Sequence, residues 1–160
     1  LPRIPHELFK RILAFFRYYT EQEHPLEVMV QIYWDSLKKR FLVVVPYQHV
    51  SGVEIRVPEE QPGQLDEERF YYYADVHSHN IMPAFFSEQD NRDELATRLY
   101  IVVGRLQSPS PEIRARISNG GKFMEIPLKD VVEVSPAEFP EYWTASVAPS
   151  FTANRKGNAL

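Results

Sequence analysis

The sequence predicts an α/β or α+β sandwich around a mixed sheet, and three observations predict it. An apolar repeat at helical spacing opens the chain, segments of strand-like alternation follow, and a second helical stretch leads into a further apolar strand. At 160 residues and 44% hydrophobic content the chain can bury one core, and no linker or repeat divides it, so a single domain over 1–160 is expected.

Pro5-His6-Glu7 opens the first helix, and Leu8, Ile12, Phe15, Phe16 and Tyr19 recur along one face. The pattern ends near Glu23, and Pro25 stops it. Leu26 to Trp34 then alternates as a strand, with Val28, Val30 and Ile32 on one face and Glu27, Met29 and Gln31 on the other. A polar turn at 35–40 leads to a second strand over Phe41–Val45, and Val53–Val57 reads as a third. Residues 58–68 are rich in Pro, Gly and acid and read as a loop. Arg69–His79 is the next strand, with Phe70, Tyr72, Ala74 and Val76 facing one way and Tyr71, Tyr73, Asp75, His77 and His79 the other. Ser87 starts a helix running to about Arg98, followed by an apolar strand over Leu99–Leu106. Asn119-Gly120-Gly121 turns a hairpin between Glu112–Ser118 and Lys122–Ile126. Asp130–Val134 reads as a last short strand, and 135–160 as an irregular segment with a polar tail.

Charge and composition narrow the function. Net charge is −4 and no basic face or run appears, so a nucleic-acid partner is not expected. No apolar run has the roughly 18–20 residues of a membrane span, and the N-terminal residues lack a signal-peptide pattern, so a cytoplasmic location is the default expectation. The absence of cysteine removes disulfides, thiolate metal sites and thiol nucleophiles together.

The chemistry concentrates at His77, His79 and Asp90. Side chains two apart on a strand share a face, so both imidazoles can reach one metal ion. Asp90 falls in the first turn of the second helix, where a carboxylate is electrostatically favoured. Two histidines and a carboxylate form a normal catalytic zinc set, and zinc so held lowers the pKa of a bound water to about 7. Glu27 is the candidate general base. Taken singly, each residue has a plainer reading: a His-x-His pair is more often packed or solvated, Ser87 is a helix N-cap, and Glu27 is a solvent-facing strand residue.

Their joint spacing is more specific. His77-Ser78-His79, seven residues, then Ser87-Glu88-Gln89-Asp90 reads H-x-H-x(7)-S-x-x-D, with His24-Pro25-Leu26-Glu27 upstream after the first helix. This resembles the JAMM (JAB/MPN+) zinc metallopeptidases of prokaryotic type, with the matched order spanning Pro25 to about Leu106. The resemblance implies a cytidine-deaminase-like MPN sandwich and one zinc ion per chain on His77, His79 and Asp90. It implies Glu27 as the base that passes a proton to the leaving amine, and Ser87 as an oxyanion stabiliser. It also implies peptide or isopeptide hydrolysis next to the C-terminus of a ubiquitin-like protein or its conjugate. Two departures stand out. Val28-Met29-Val30-Gln31-Ile32 lacks the family's small Gly-Leu pattern, and Asn80 stands where a proline is frequent. Two other readings compete: a catalytically silent MPN-type scaffold, and a zinc hydrolase of a non-protein amide.

The remaining polar and aromatic residues are expected to be structural. Asp75 reads as a cross-strand or solvent-facing acid rather than a partner of an imidazole. His6, His24 and His49 read as surface residues, and Phe85 and Phe86 as packing, while 58–68 and 80–86 are the loops expected to shape a groove.

Overall fold

A computed structural model describes residues 2–135 and 139–150. Helix α1 (His6–Thr20) starts one residue after Pro5, whose fixed φ leads into the first turn, and it buries Phe9, Ile12 and Phe16. It ends three residues before the sequence-predicted limit near Glu23. Strands β1 (Met29–Asp35), β2 (Arg40–Val44), β5 (Phe70–Ser78), β6 (Arg98–Gly104), β7 (Glu112–Asn119) and β8 (Lys122–Ile126) form one mixed sheet in the order β2-β1-β5-β6-β7-β8. A separate two-stranded hairpin, β3 (His49–Val50) and β4 (Ile55–Arg56), shortens the third strand expected at 53–57 and adds a partner that no alternation signals.

The mixed character comes from a single parallel pair, β5 with β6, and every other named pair is antiparallel. A parallel pair needs a crossover, and residues 79–97 supply it with the short helix α2 (Glu88–Asp93). β6 is one of the two central strands, and Leu99 through Val103 are buried on both faces, as its unbroken apolar run requires. On one face of the sheet, Val30, Ile32, Ala74, Val76, Ile101 and Val103 form a core with Phe9, Ile12 and Phe16 of α1. Burying each of the Val, Ile and Phe side chains among them contributes about 1.5–3 kcal/mol. The opposite face carries α2 and the polar residues considered below.

Three sequence expectations need correction. First, β5 carries a β-bulge: Ile32 pairs with Ala74 but Tyr33 pairs with Tyr72, so Tyr73 is an extra residue. The bulge exchanges the faces expected for Tyr72 and Tyr73. Tyr73 packs on the core, while Tyr72 stacks on Tyr33 and hydrogen-bonds Asp75. Second, 130–134 is not a strand. Pro127 ends β8 and precedes one helical turn, α3 (Leu128–Val131), after which Val132 makes a lone parallel bridge to Ile4. Third, α2 stops at Asp93 rather than near Arg98, as described below. Of the segment 135–160, a 3-10 helix (Glu141–Ser146) interrupts the irregular stretch, and the polar tail lies outside the described residues. Among the described residues no helix is long and apolar enough to cross a membrane.

The β1–β2 end of the sheet is fastened by Asp35, which is 2% exposed. Its carboxylate accepts hydrogen bonds from Arg69 Nε (3.0 Å) and Arg69 Nη2 (2.8 Å) and from the amides of Leu37 (3.0 Å) and Lys38 (3.1 Å). The Arg69 bonds, helped by the two amides, hold the Asp35 carboxyl well below the usual carboxylate range against the opposing effect of burial. The folded state therefore binds fewer protons at this position than the unfolded chain. Its stabilisation is complete above the ordinary carboxylate pKa and is lost as pH falls through the depressed folded value. Asp35→Asn should lower the unfolding midpoint at neutral pH, with the difference from the wild type shrinking as pH drops below the ordinary Asp range. Thermal melts from pH 7 downward check this, and a constant difference across that range would count against the pairing.

Candidate metal centre

Two strands and the crossover bring the candidate residues together. His77 and His79 leave the C-terminal end of β5 on the face opposite the α1 core, below the bulge and therefore unaffected by it. The chain just before β1 is held beside them, because the Ser78 amide donates to the Val28 carbonyl (2.9 Å) and the Val28 amide to Ser78 Oγ (3.0 Å). Glu27 is the next residue. It precedes β1 rather than lying within it, and it is buried, not solvent-facing, at 5% exposure. Its amide donates to the carbonyl of Ser51 in the β3–β4 hairpin (2.8 Å).

After His79 the chain turns through Asn80, which has a φ of 50°. Proline cannot adopt that angle and Asn tolerates it, so Asn80 suits the backbone turn at this position. The Asn80 side chain also bonds Gly52 O (3.2 Å) and receives the Thr20 hydroxyl (3.4 Å), tying the hairpin and α1 to the site. Ser87 then caps α2 in a reciprocal capping box. Asp90 N donates to Ser87 Oγ (3.1 Å), while Asp90 Oδ2 accepts from Ser87 N (2.6 Å) and from Ser87 Oγ (2.7 Å). The expected N-cap role of Ser87 is therefore present, and the same bonds aim the Asp90 carboxylate.

Donor atoms of His77, His79 and Asp90 all lie within 4.8 Å of one another. The two Nε2 atoms are 3.2 Å apart, His77 Nε2 is 3.5 Å from Asp90 Oδ1, and His79 Nε2 is 3.8 Å from Asp90 Oδ2. Ligands at the vertices of a zinc tetrahedron with about 2.0–2.1 Å bonds stand about 3.3 Å apart, so the three groups fit such an ion. Electrostatics agree. Burial pushes the His77 imidazole down to about 4, with His79 and Arg116 adding to that effect and Asp90 opposing it. Burial likewise lowers His79, against the pull of Asp90. Two neutral rings whose Nε2 atoms face one point beside a carboxylate form a donor set for a cation, and neutral imidazole is the form that binds a metal. His79 Nδ1 is buried, and the backbone of Pro83 opposes the downward effect of burial on the ring. Phe85 stands edge-on to the His79 ring at 4.7 Å between centroids.

A cavity of about 700 Å³ opens over this group and is lined by Glu27, His77, His79, Ser87 and Asp90 together. Burial, and secondarily the charge of Asp90, push the Glu27 carboxyl up to about 7. The walls are 53–57 of the hairpin with Met82 and Phe85 of the crossover, so of the two loops expected to shape the groove only 80–86 takes part. Asp75 also lines the cavity but is not solvent-facing. It accepts from the Tyr72 hydroxyl and pairs with Arg98 (3.2 Å), which supports the cross-strand reading, and neither bond goes to an imidazole. His6, His24 and His49 lie away from the cavity lining.

Sequence reasoning missed one group at the site's edge. Arg116 of β7 is 4% exposed and pairs with Glu94 at the end of α2, which is 7% exposed. Alternation along β7 places Arg116 on the site face, but nothing in the sequence identifies its partner. α2 ends where this pair forms: the chain leaves the helix at Glu94, whose amide bonds Asp90 O (2.8 Å), and the next carbonyl, Leu95 O, accepts from Gly120 (2.9 Å).

A family profile described as prokaryotic homologs of the JAB domain matches residues 9–118. Among solved structures, the chain is similar to the solution structure of protein DSY2949 from Desulfitobacterium hafniense, at 16% identity over 78% of this chain and 88% of that one, with a TM-score of 0.47. No curated protein matches the chain.

The crossover rests on the end of β6 at Gly104. A Cβ there would stand 2.3 Å from Ala84 N and 2.4 Å from Met82 O and Pro83 C, all backbone atoms of the loop between His79 and Ser87. Gly104→Ala should therefore destabilise the fold by about 1–3 kcal/mol and displace that loop. Urea unfolding measures the effect, and a wild-type midpoint would mean that the loop does not sit against β6.

Proposed function

The chain belongs to the prokaryotic homologs of the JAB domain, and from that premise and the residues gathered in its cavity we propose a zinc-dependent peptidase or isopeptidase acting next to the C-terminus of a ubiquitin-like protein or its conjugate. The observation that carries the proposal is the convergence of two neutral imidazoles and a carboxylate with the desolvated carboxyl of Glu27 in the same cavity.

The residues divide the work as follows. His77, His79 and Asp90 would hold the zinc ion, with Asp90 Oδ1 the freer oxygen because both Ser87 bonds go to Oδ2. A zinc ion held there would polarise the scissile carbonyl and make water more acidic. Glu27, with a carboxyl raised to about 7, is suited both to accept a proton from the attacking water and to return it to the leaving amine. The charge of a neighbouring cation acts on this carboxyl opposite to burial and favours the ionised, basic form. Ser87 lines the cavity, and we assign its hydroxyl to the oxyanion. It donates to Asp90 here, and would turn to substrate as negative charge develops on the carbonyl oxygen. Residues 53–57 of the hairpin, at the cavity wall, offer backbone to an extended tail by strand addition.

Two readings compete with this one. A silent scaffold on the same fold has no use for a desolvated carboxyl beside two uncharged imidazoles, and Glu27 is such a group. A zinc hydrolase of non-protein amides would use the same centre and differ only in substrate.

Metal analysis together with a cleavage panel of ubiquitin-like C-terminal fusions and small amides tests the proposal. The wild type should carry one zinc ion per chain and cleave the fusions; zinc-free protein would favour the scaffold. Glu27→Gln should keep the metal and lose about 10²–10⁴-fold in turnover. Undiminished turnover would take Glu27 out of the mechanism. His77→Ala or Asp90→Ala should lose zinc and activity together, and a metallated, active Asp90→Ala protein would refute the ligand assignment.

A further inference from the structure

Helix α2 has six residues and none of them is buried, so its own apolar packing cannot fix Asp90 in place. Ser87 orients the carboxylate locally, but Ser87 and Asp90 belong to the same short segment and could move together. What docks that segment to the sheet is Arg116. Its Nε and Nη2 both donate to Glu94 Oε2, at 2.8 and 2.6 Å, and its Nη1 donates to Asn91 Oδ1 at 2.7 Å. The guanidinium also lies 3.9 Å from the ring centroid of Phe86, the residue before Ser87, and 3.9 Å from that of Phe123 on β8. One buried side chain therefore grips the segment before its N-cap, next to Asp90, and at its C-cap.

We propose that Arg116 is a positioning residue for the centre, a clamp that holds the Asp90-bearing helix at the distance where its carboxylate meets His77 and His79. The chemistry requires arginine. A planar guanidinium can stack between two rings while its edge donates to a carboxylate and an amide at once, which an ammonium cannot do. Pairing is also obligatory, because removing one partner of a buried ion pair leaves the other charged and desolvated. The assignment rests on the reading of His77, His79 and Asp90 as metal ligands, but the clamp itself is a property of the metal-free protein.

Two measurements on the full chain separate these levels. Amide exchange of the metal-free protein reads the clamp directly through the Asn91 and Glu94 amides, which bond Ser87 O and Asp90 O. Competition against a chelator reads affinity for Zn2+, and the visible spectrum of the Co2+-loaded protein reads ligand geometry. Asn91→Ala, at an exposed position, removes one bond with little risk to folding. Arg116→Lys keeps the charge, and Arg116→Met combined with Glu94→Leu removes the whole pair without stranding a charge. Arg114→Met, on the same strand as Arg116, breaks only an exposed pair with Glu125 of β8 and is the control.

The double variant should exchange both amides at least about tenfold faster and bind Zn2+ about 10–100-fold more weakly, with an altered Co2+ spectrum. Asn91→Ala and Arg116→Lys should show smaller changes in the same direction at near-native melting temperature, and the control none. Wild-type exchange and affinity in the double variant would overturn the clamp. So would loss of affinity only in step with loss of global stability across the series, or an equal effect from Arg114→Met. Wild-type protein that binds neither Zn2+ nor Co2+ would sink the metal reading and the positioning role together, while the exchange data would still show whether Arg116 docks α2.

Discussion

Because β5 and β6 run parallel, the chain has to leave the sheet at one end of β5 and re-enter at the other end of β6. The rest of the candidate site depends on that constraint. His77 and His79 stand where the chain leaves, and the return path carries Ser87 and Asp90 over the same sheet face. An antiparallel hairpin at this point would return directly and leave no helix above the histidines. The crossover is short, and it is seated by backbone contacts with Gly104 rather than by a large apolar face. The centre is thus assembled from one rigid wall, the sheet, and one segment attached mainly through polar bonds.

The two walls suit different tasks. The sheet side is buried and raises the energy of charge, keeping the imidazoles neutral and the Glu27 carboxyl protonated nearer to neutrality than a free glutamate. The crossover side supplies the fixed negative charge of Asp90, oriented by the Ser87 bonds. A cation entering between them meets neutral donors on one side and an anion on the other, and it lowers the electrostatic cost that burial imposes on every carboxylate nearby.

Much of this was legible in the sequence, for identifiable reasons. The α1 repeat and the alternation of β1 survive because the core they face is continuous, and the spacing of His77, His79, Ser87 and Asp90 is legible because a strand end and a helix cap fix it within fourteen residues. The failures share a different cause. The Tyr72–Tyr73 bulge depends on how β1 pairs with β5, and a run of three tyrosines gives no local sign of which residue is extra. Residues 128–131 follow Pro127 and pack as a turn although Val131 and Val132 favour strand. Arg116 and Glu94 are twenty-two residues apart and meet only after β6 and β7 have paired, so neither pattern nor motif could join them. The place of Glu27 in the motif is legible, but its burial is not, because the β3–β4 hairpin bonded to it through Ser51 comes beside it only in the fold.

The extra residue in β5 has a bearing on how such a chain can vary over time. Upstream of it the strand presents aromatic residues to β1; downstream it presents the imidazoles. A bulge breaks the strict two-residue phase between those halves. The direction of His77 and His79 follows from the pairing of residues 74–78 with β1 and β6, while the outer part of the strand is anchored separately through Arg69 and Asp35. Two anchors on one element mean that exchanges in the loop before the strand, at 58–68, need not turn the histidines away from the cavity.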